Sequence, residues 1–135
     1  MHAQCLCGVT QFDVDLVNYQ VHVCHCSLCR RQSSGLLMTI DVLPNSLVFA
    51  QQTHLGIFRS SEWGERGFCK QCRTTLFWRM QDHSYCNINV FALEELPEEL
   101  VLDAEIYIDH KPAFYSLSQP TNQLTEAEVI AMLNK

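Results

Sequence analysis

Five glycines and four prolines in 135 residues are too few for a collagen-like, low-complexity or disordered chain. No stretch approaches the ~20 apolar residues of a membrane-spanning helix. Neither an internal repeat nor a Ser/Gly linker divides the chain, so one domain over residues 1–135 is expected. Basic residues are scarce as well. Nine Lys and Arg against fifteen Asp and Glu give a formal charge of −6, whereas a surface that follows a phosphate backbone needs clustered positive charge. Nucleic acid and membrane are therefore not expected partners, although the adjacent Arg30 and Arg31 leave room for a local anion site. The first residues, Met1-His2-Ala3-Gln4, lack the basic and then apolar segments of a secretory leader. A cytoplasmic location is expected.

Cysteine is what the chain has in abundance, with eight thiols. In a reducing compartment grouped thiols are metal ligands or catalysts rather than disulfides. Cys5-Leu6-Cys7-Gly8 forms one pair, with Gly8 free to take the positive φ of a tight turn. Cys69-Lys70-Gln71-Cys72 forms a matching knuckle, and together the two pairs supply a four-cysteine tetrahedral site, complete and hence structural. The middle cluster, Cys24-His25-Cys26-Ser27-Leu28-Cys29, offers only three thiols. A zinc ion with three protein ligands keeps a position for water or substrate, the arrangement of catalytic sites. Two Zn2+ per chain are expected on this reading. Iron–sulfur ligation uses the same side chains, and cysteines alone do not fix the metal. His25 is the alternative fourth ligand, but adjacent residues rarely both point at one ion, so it is read as facing the surroundings of the site or solvent. Cys86 shares a strand face with Ile88 and Val90 and reads as a core residue. Of the remaining histidines, His110, between Asp109 and Lys111, is the one with functional neighbours.

Period-two alternation dominates the rest and predicts a mainly β chain. Thr10 to Leu16, Tyr19 to Val23, Met38 to Val42, Ser46 to Ala50, Gly56 to Arg59, Thr74 to Trp78, Tyr85 to Phe91 and Glu105 to Ile108 read as strands. Two segments read as helix. Ser27 to Gln32 gives a short turn after the central cysteines, and Thr125 with Glu128 forms a capping box for a helix from Thr125 to Leu133. That terminal helix is expected to pack at the domain edge and close the core.

These motifs, in their order, resemble the glutathione-dependent formaldehyde-activating enzyme family, which includes centromere-protein-V-like proteins. The resemblance rests on Cys5 to Gly8, Cys24 to Arg30, Phe68 to Cys72 and Ile106-Tyr107-Ile108-Asp109-His110-Lys111-Pro112, and covers roughly residues 3 to 116. It implies several short antiparallel sheets coiled around zinc, as in the zinc chaperones of Rab GTPases. It implies a structural zinc on Cys5, Cys7, Cys69 and Cys72 and a second zinc on Cys24, Cys26 and Cys29. The implied activity is of carbon–sulfur lyase type, linking a small-molecule thiol such as glutathione to a small aldehyde. Arg30, Arg31, Lys70 and Lys111 are the candidates for the carboxylates of that thiol. A non-enzymatic zinc module that binds a protein, or a zinc or thiol carrier, is the alternative. Two positions depart from the family pattern: Arg73 stands where glycine often follows the knuckle, and Phe114-Tyr115 where tryptophan usually follows the Lys-Pro step.

Overall fold

The computed structural model describes residues 1–133. The chain is mainly β, as expected. In chain order the elements are β1 (His2–Gln4), β2 (Gln11–Asp13), β3 (Leu16–Cys24), α1 (Ser27–Ser33), β4 (Leu37–Val42), β5 (Val48–Phe49) and β6 (Leu55–Phe58). They continue with β7 (Gly64–Cys69), β8 (Thr75–Met80), β9 (Cys86–Asn89), β10 (Val101–Ile106), β11 (Asn122–Leu124) and α2 (Glu126–Leu133). No helix among the described residues is long and apolar enough to cross a membrane.

Eight strands form one sheet in the order β11-β10-β3-β4-β9-β8-β7-β6, and β1-β2-β5 form a smaller one. Most neighbours are antiparallel, but β10 runs parallel to both β3 and β11. An isolated bridge between Ala3 and Leu93 ties the small sheet to the chain that follows β9. The core lies on one face of the large sheet, where Ile40, Ile88 and Phe77 are cross-strand neighbours and are fully buried with Phe12 and Leu76. Alternation sends Asp41, Asn87 and Trp78, sequence neighbours of Ile40, Ile88 and Phe77, to the other face. The register there sets Arg66 opposite Trp78, Trp78 opposite Asn87, and Asn87 opposite Asp41, a row that crosses four strands.

Several expected strands end early because side chains or backbone conformation turn the chain. The strand expected to reach Phe91 stops at Asn89, whose side chain accepts from the Phe91 N–H at 3.1 Å and starts a 3-10 turn. The strand expected from Glu105 to Ile108 begins at Val101 and stops at Ile106, because Tyr107 takes a left-handed φ of 55°. The strand β7, Gly-Glu-Arg-Gly-Phe-Cys, carries no alternation signal, yet it is paired on both sides. Gly64 makes room there for Trp78: a Cβ would lie 2.7 Å from that ring.

Both expected helices form. The α2 capping box is present, with the Thr125 N–H on the Glu128 carboxylate at 3.1 Å and the Glu128 N–H on Thr125 Oγ1 at 3.3 Å. None of its residues is buried, however, so α2 does not close the core. Its residues Glu126, Val129 and Leu133 line a cavity instead.

Candidate metal and substrate site

All eight cysteines are free thiols, and seven of them gather into two groups. In each group every sulfur lies within 4.8 Å of the others. Cys5 and Cys7 come from the turn after β1, where Gly8 takes the expected positive φ of 80°. Cys69 ends β7 and Cys72 follows in the next turn, which Arg73 completes in the left-handed region at φ 68°. The missing glycine therefore leaves the turn intact and loads it with a strained residue. Separations of 3.6 Å between the Cys5 and Cys7 sulfurs and 3.9 Å between those of Cys7 and Cys69 match the about 3.8 Å between ligands of a tetrahedral zinc with 2.3 Å bonds. The Thr10 and Cys72 N–H groups point at the Cys5 and Cys69 sulfurs at 3.4 and 3.5 Å, as donors do toward thiolates. Burial resists ionisation of Cys72, but the Thr74 hydroxyl and nearby backbone N–H groups overcome it and pull the thiol down to about 5. The donor set thus fits a closed zinc site.

The second group is built on one short segment. Cys24 ends β3, Cys26 caps α1 by accepting from the Cys29 N–H at 3.4 Å, and Cys29 lies in the first turn of that helix. Hydrogen bonds from Cys24 and then from Cys29 hold Cys26 far below the ordinary thiol range, while the same contacts push Cys24 up. The trio therefore stabilises at least one thiolate. Three such donors fit a zinc ion and would leave a coordination position toward the cavity that these cysteines line.

Alternation along the chain turns His25 away from its two cysteine neighbours. The ring is completely buried and faces the surroundings of the cluster rather than solvent, the first of the two expected places. Its Nε2 meets Glu105 Oε1 at 2.8 Å and its Nδ1 meets the Tyr115 hydroxyl at 3.3 Å. Both ring nitrogens are thereby used, and neither is left for a metal. Thr121 donates to the other oxygen of Glu105 at 2.5 Å. This network pins the loop that carries Cys24 and Cys26 to β10, with the His25 N–H on the Ile106 carbonyl at 3.0 Å. Tyr115, one of the two residues that replace the family's usual tryptophan, is part of it.

The three cysteines form the floor of a cavity of about 350 Å³. Trp63, Trp78 and Tyr85 make an aromatic wall in edge-to-face contact, with centroids 5.4 and 5.8 Å apart. The Tyr85 hydroxyl donates to Asp41 at 2.5 Å, and burial with that carboxylate pushes its ionisation above the usual range. Tyr107, His110 and the α2 residue Val129 stand at the other side, where His110 Nε2 is 3.5 Å from Glu126.

Arg30, Arg31 and Lys111 are not among the cavity's walls. Arg30 Nε donates to the His25 carbonyl at 2.9 Å, Arg31 is exposed, and the Lys111 ammonium donates to the carbonyls of Pro112 and Tyr115 over the Tyr115 ring. Lys70 is exposed beside the closed site. The cation that does reach the cavity is Arg66, only 3% exposed. Its Nε donates to Ser60 at 3.0 Å and its Nη2 to Cys29 Sγ at 3.4 Å. Arg66 matches no ligand or catalytic motif, and its one signal in the sequence is the charged pair Glu65-Arg66 held between Gly64 and Gly67 shortly before Cys69. Cys86 lies in the core at 4% exposure, with burial pushing its thiol up to about 12.

The family model described as glutathione-dependent formaldehyde-activating enzyme matches residues 1–110. An uncharacterized lyase of Schizosaccharomyces pombe is 29% identical over 137 residues, covering 97% of this chain and 95% of the relative. A crystal structure of a Rhodobacter sphaeroides protein superposes with a TM-score of 0.63 at 21% identity, covering 73% of this chain and 92% of that one. That likeness concerns the fold.

Proposed function

The chain belongs to the glutathione-dependent formaldehyde-activating enzyme family, and from that premise we propose that it is a zinc-dependent, cytoplasmic enzyme of carbon–sulfur lyase type. Its substrates on this reading are a small-molecule thiol such as glutathione and a small aldehyde, joined into an S-hydroxyalkyl adduct. The observation that carries the reading is the placement of a three-cysteine cluster, Cys24, Cys26 and Cys29, at the floor of a cavity with aromatic walls. Cys5, Cys7, Cys69 and Cys72 would hold a second, structural zinc.

Cys24, Cys26 and Cys29 would hold a zinc ion, which would supply the Lewis acidity to ionise a substrate thiol or polarise an aldehyde oxygen. The protein's own groups set the conditions for it. Trp63, Trp78 and Tyr85 limit the water that reaches the reacting atoms. His25 and Glu105 hold the loop so that two cysteines face the cavity. A non-enzymatic zinc module would need a fourth protein ligand at this cluster, and the commitment of both His25 nitrogens to Glu105 and Tyr115 argues against it.

The test is to follow exchange between formaldehyde, glutathione and their adduct by NMR with zinc-loaded protein, using Cys26→Ala as control. Exchange should be faster with the intact protein and return to the uncatalysed rate in the variant. An uncatalysed rate with the intact protein would refute the reading.

A further inference from the structure

The buried cation beside the thiols has a donor to spare. Arg66 is almost wholly inside the protein, and it lines the cavity together with Cys29. Nε is committed to Ser60 and Nη2 to Cys29, but Nη1 is buried without any hydrogen-bond partner. A buried donor on a charged group is costly to leave unsatisfied, and such a group calls for an explanation. The row Arg66, Trp78, Asn87 repeats the pattern: Asn87, another wall residue, keeps its Oδ1 buried and unpartnered. This face of the sheet is polar where a ligand would lie.

A guanidinium carries five N–H donors. With Nε on Ser60 and one Nη2 N–H on Cys29, the second N–H of Nη2 and both of Nη1 are left to donate, and donors on a charged group bind an oxygen more strongly than neutral ones. Nη2 touches Cys29 Sγ, so these donors are next to the thiol cluster. In an S-hydroxyalkyl adduct the oxygen is two bonds from the sulfur. A sulfur seated at the cluster would thus bring that oxygen toward the guanidinium.

We infer that Arg66 is the oxygen-binding residue of this site, holding through its guanidinium the aldehyde oxygen and the hydroxyl into which it is converted. The inference rests on the reaction class proposed above. The thiolate sulfur donates an electron pair to the aldehyde carbon, a C–S bond forms, and the C=O π pair moves onto the oxygen beside the guanidinium. The thiol proton leaves to water and a proton from water returns to the oxygen. Thiol plus aldehyde gives one adduct, and nothing is oxidised or reduced. A fixed cation at the atom where charge develops is the arrangement that stabilises such a step.

The test uses two inert thiols that differ only in the group Arg66 would read. Calorimetry on zinc-loaded protein compares 2-mercaptoethanol, a stable analogue whose hydroxyl is three bonds from the sulfur against two in the adduct, with 1-propanethiol, in which a methyl replaces the hydroxyl. The intact protein should bind the hydroxylated thiol about tenfold more tightly, as one charge-assisted hydrogen bond predicts. Arg66→Gln should abolish the preference. Arg66→Lys keeps the buried charge and protects the fold, and it should reduce the preference at least threefold. Equal affinity in the intact protein, or an undiminished preference in Arg66→Lys, would overturn the assignment. A preference that depends on Arg66 without accelerated formaldehyde exchange would instead count against the reaction alone.

Discussion

The two cysteine clusters use the same ligand chemistry for opposite structural ends. The closed cluster draws Cys7 and Cys69 together across 62 residues of chain, so a metal there would close a long loop and withdraw much entropy from the unfolded state. The open cluster takes all three sulfurs from residues 24 to 29, a loop so short that closing it contributes little. It is held instead by the buried His25 and Glu105 behind it. With metal bound, one cluster would stabilise the fold, whereas the other is held by the fold. The cavity lies over the second.

The largest effect that separates them is on folding. Cys69→Ala should lose more than about 5 kcal/mol, because metal binding at the closed site is folding free energy. Cys26→Ala should unfold at nearly the denaturant concentration of the intact chain while losing one zinc. Urea melts with metal stoichiometry per chain check both. Equal losses from the two substitutions would break the comparison.

Glu105 probes the support of the open cluster. Glu105→Ala leaves His25 buried without its partner, for a loss of about 3 kcal/mol. The pH dependence follows from the same carboxylate. Burial opposes its ionisation, but hydrogen bonds from Thr121 and His25 outweigh that and hold it below the ordinary glutamate value. Because the folded value is lowered, the contribution is complete above the unfolded value of about 4.3 and is lost as pH falls through the folded one. Glu105→Gln should therefore flatten the acid limb of stability below about pH 4, measured by urea melts across pH. The smallest effect sharpens the closed site. Arg73→Gly relieves the left-handed strain of its turn and should raise stability by about 0.5 kcal/mol.

Local spacing explains what was readable in advance. Sulfurs two or three residues apart converge whatever the rest of the chain does, so both clusters, the Gly8 turn and the capping box at Thr125 were legible as patterns. So was the core face of Cys86 and Ile88, because alternation alone assigns it. The strand β7 was not, since Glu65 and Arg66 break the apolar pattern and their burial depends on partners elsewhere: Arg79 for Glu65 at 2.8 Å, Ser60 and Cys29 for Arg66. His25 could be turned away from the metal by local reasoning, but only the parallel pairing of β10 with β3 brought Glu105 to it from 80 residues away.

By itself the sequence determined the mainly β character, the family and the division of seven cysteines into four and three, because each depends on residue type and short spacing. The tertiary structure alone decided what surrounds the three. Strand register, which no local pattern encodes, placed Arg66 and the aromatic wall over that cluster and left Arg30, Arg31 and Lys111 outside. A cavity is formed by strands distant in sequence, and so are its contents.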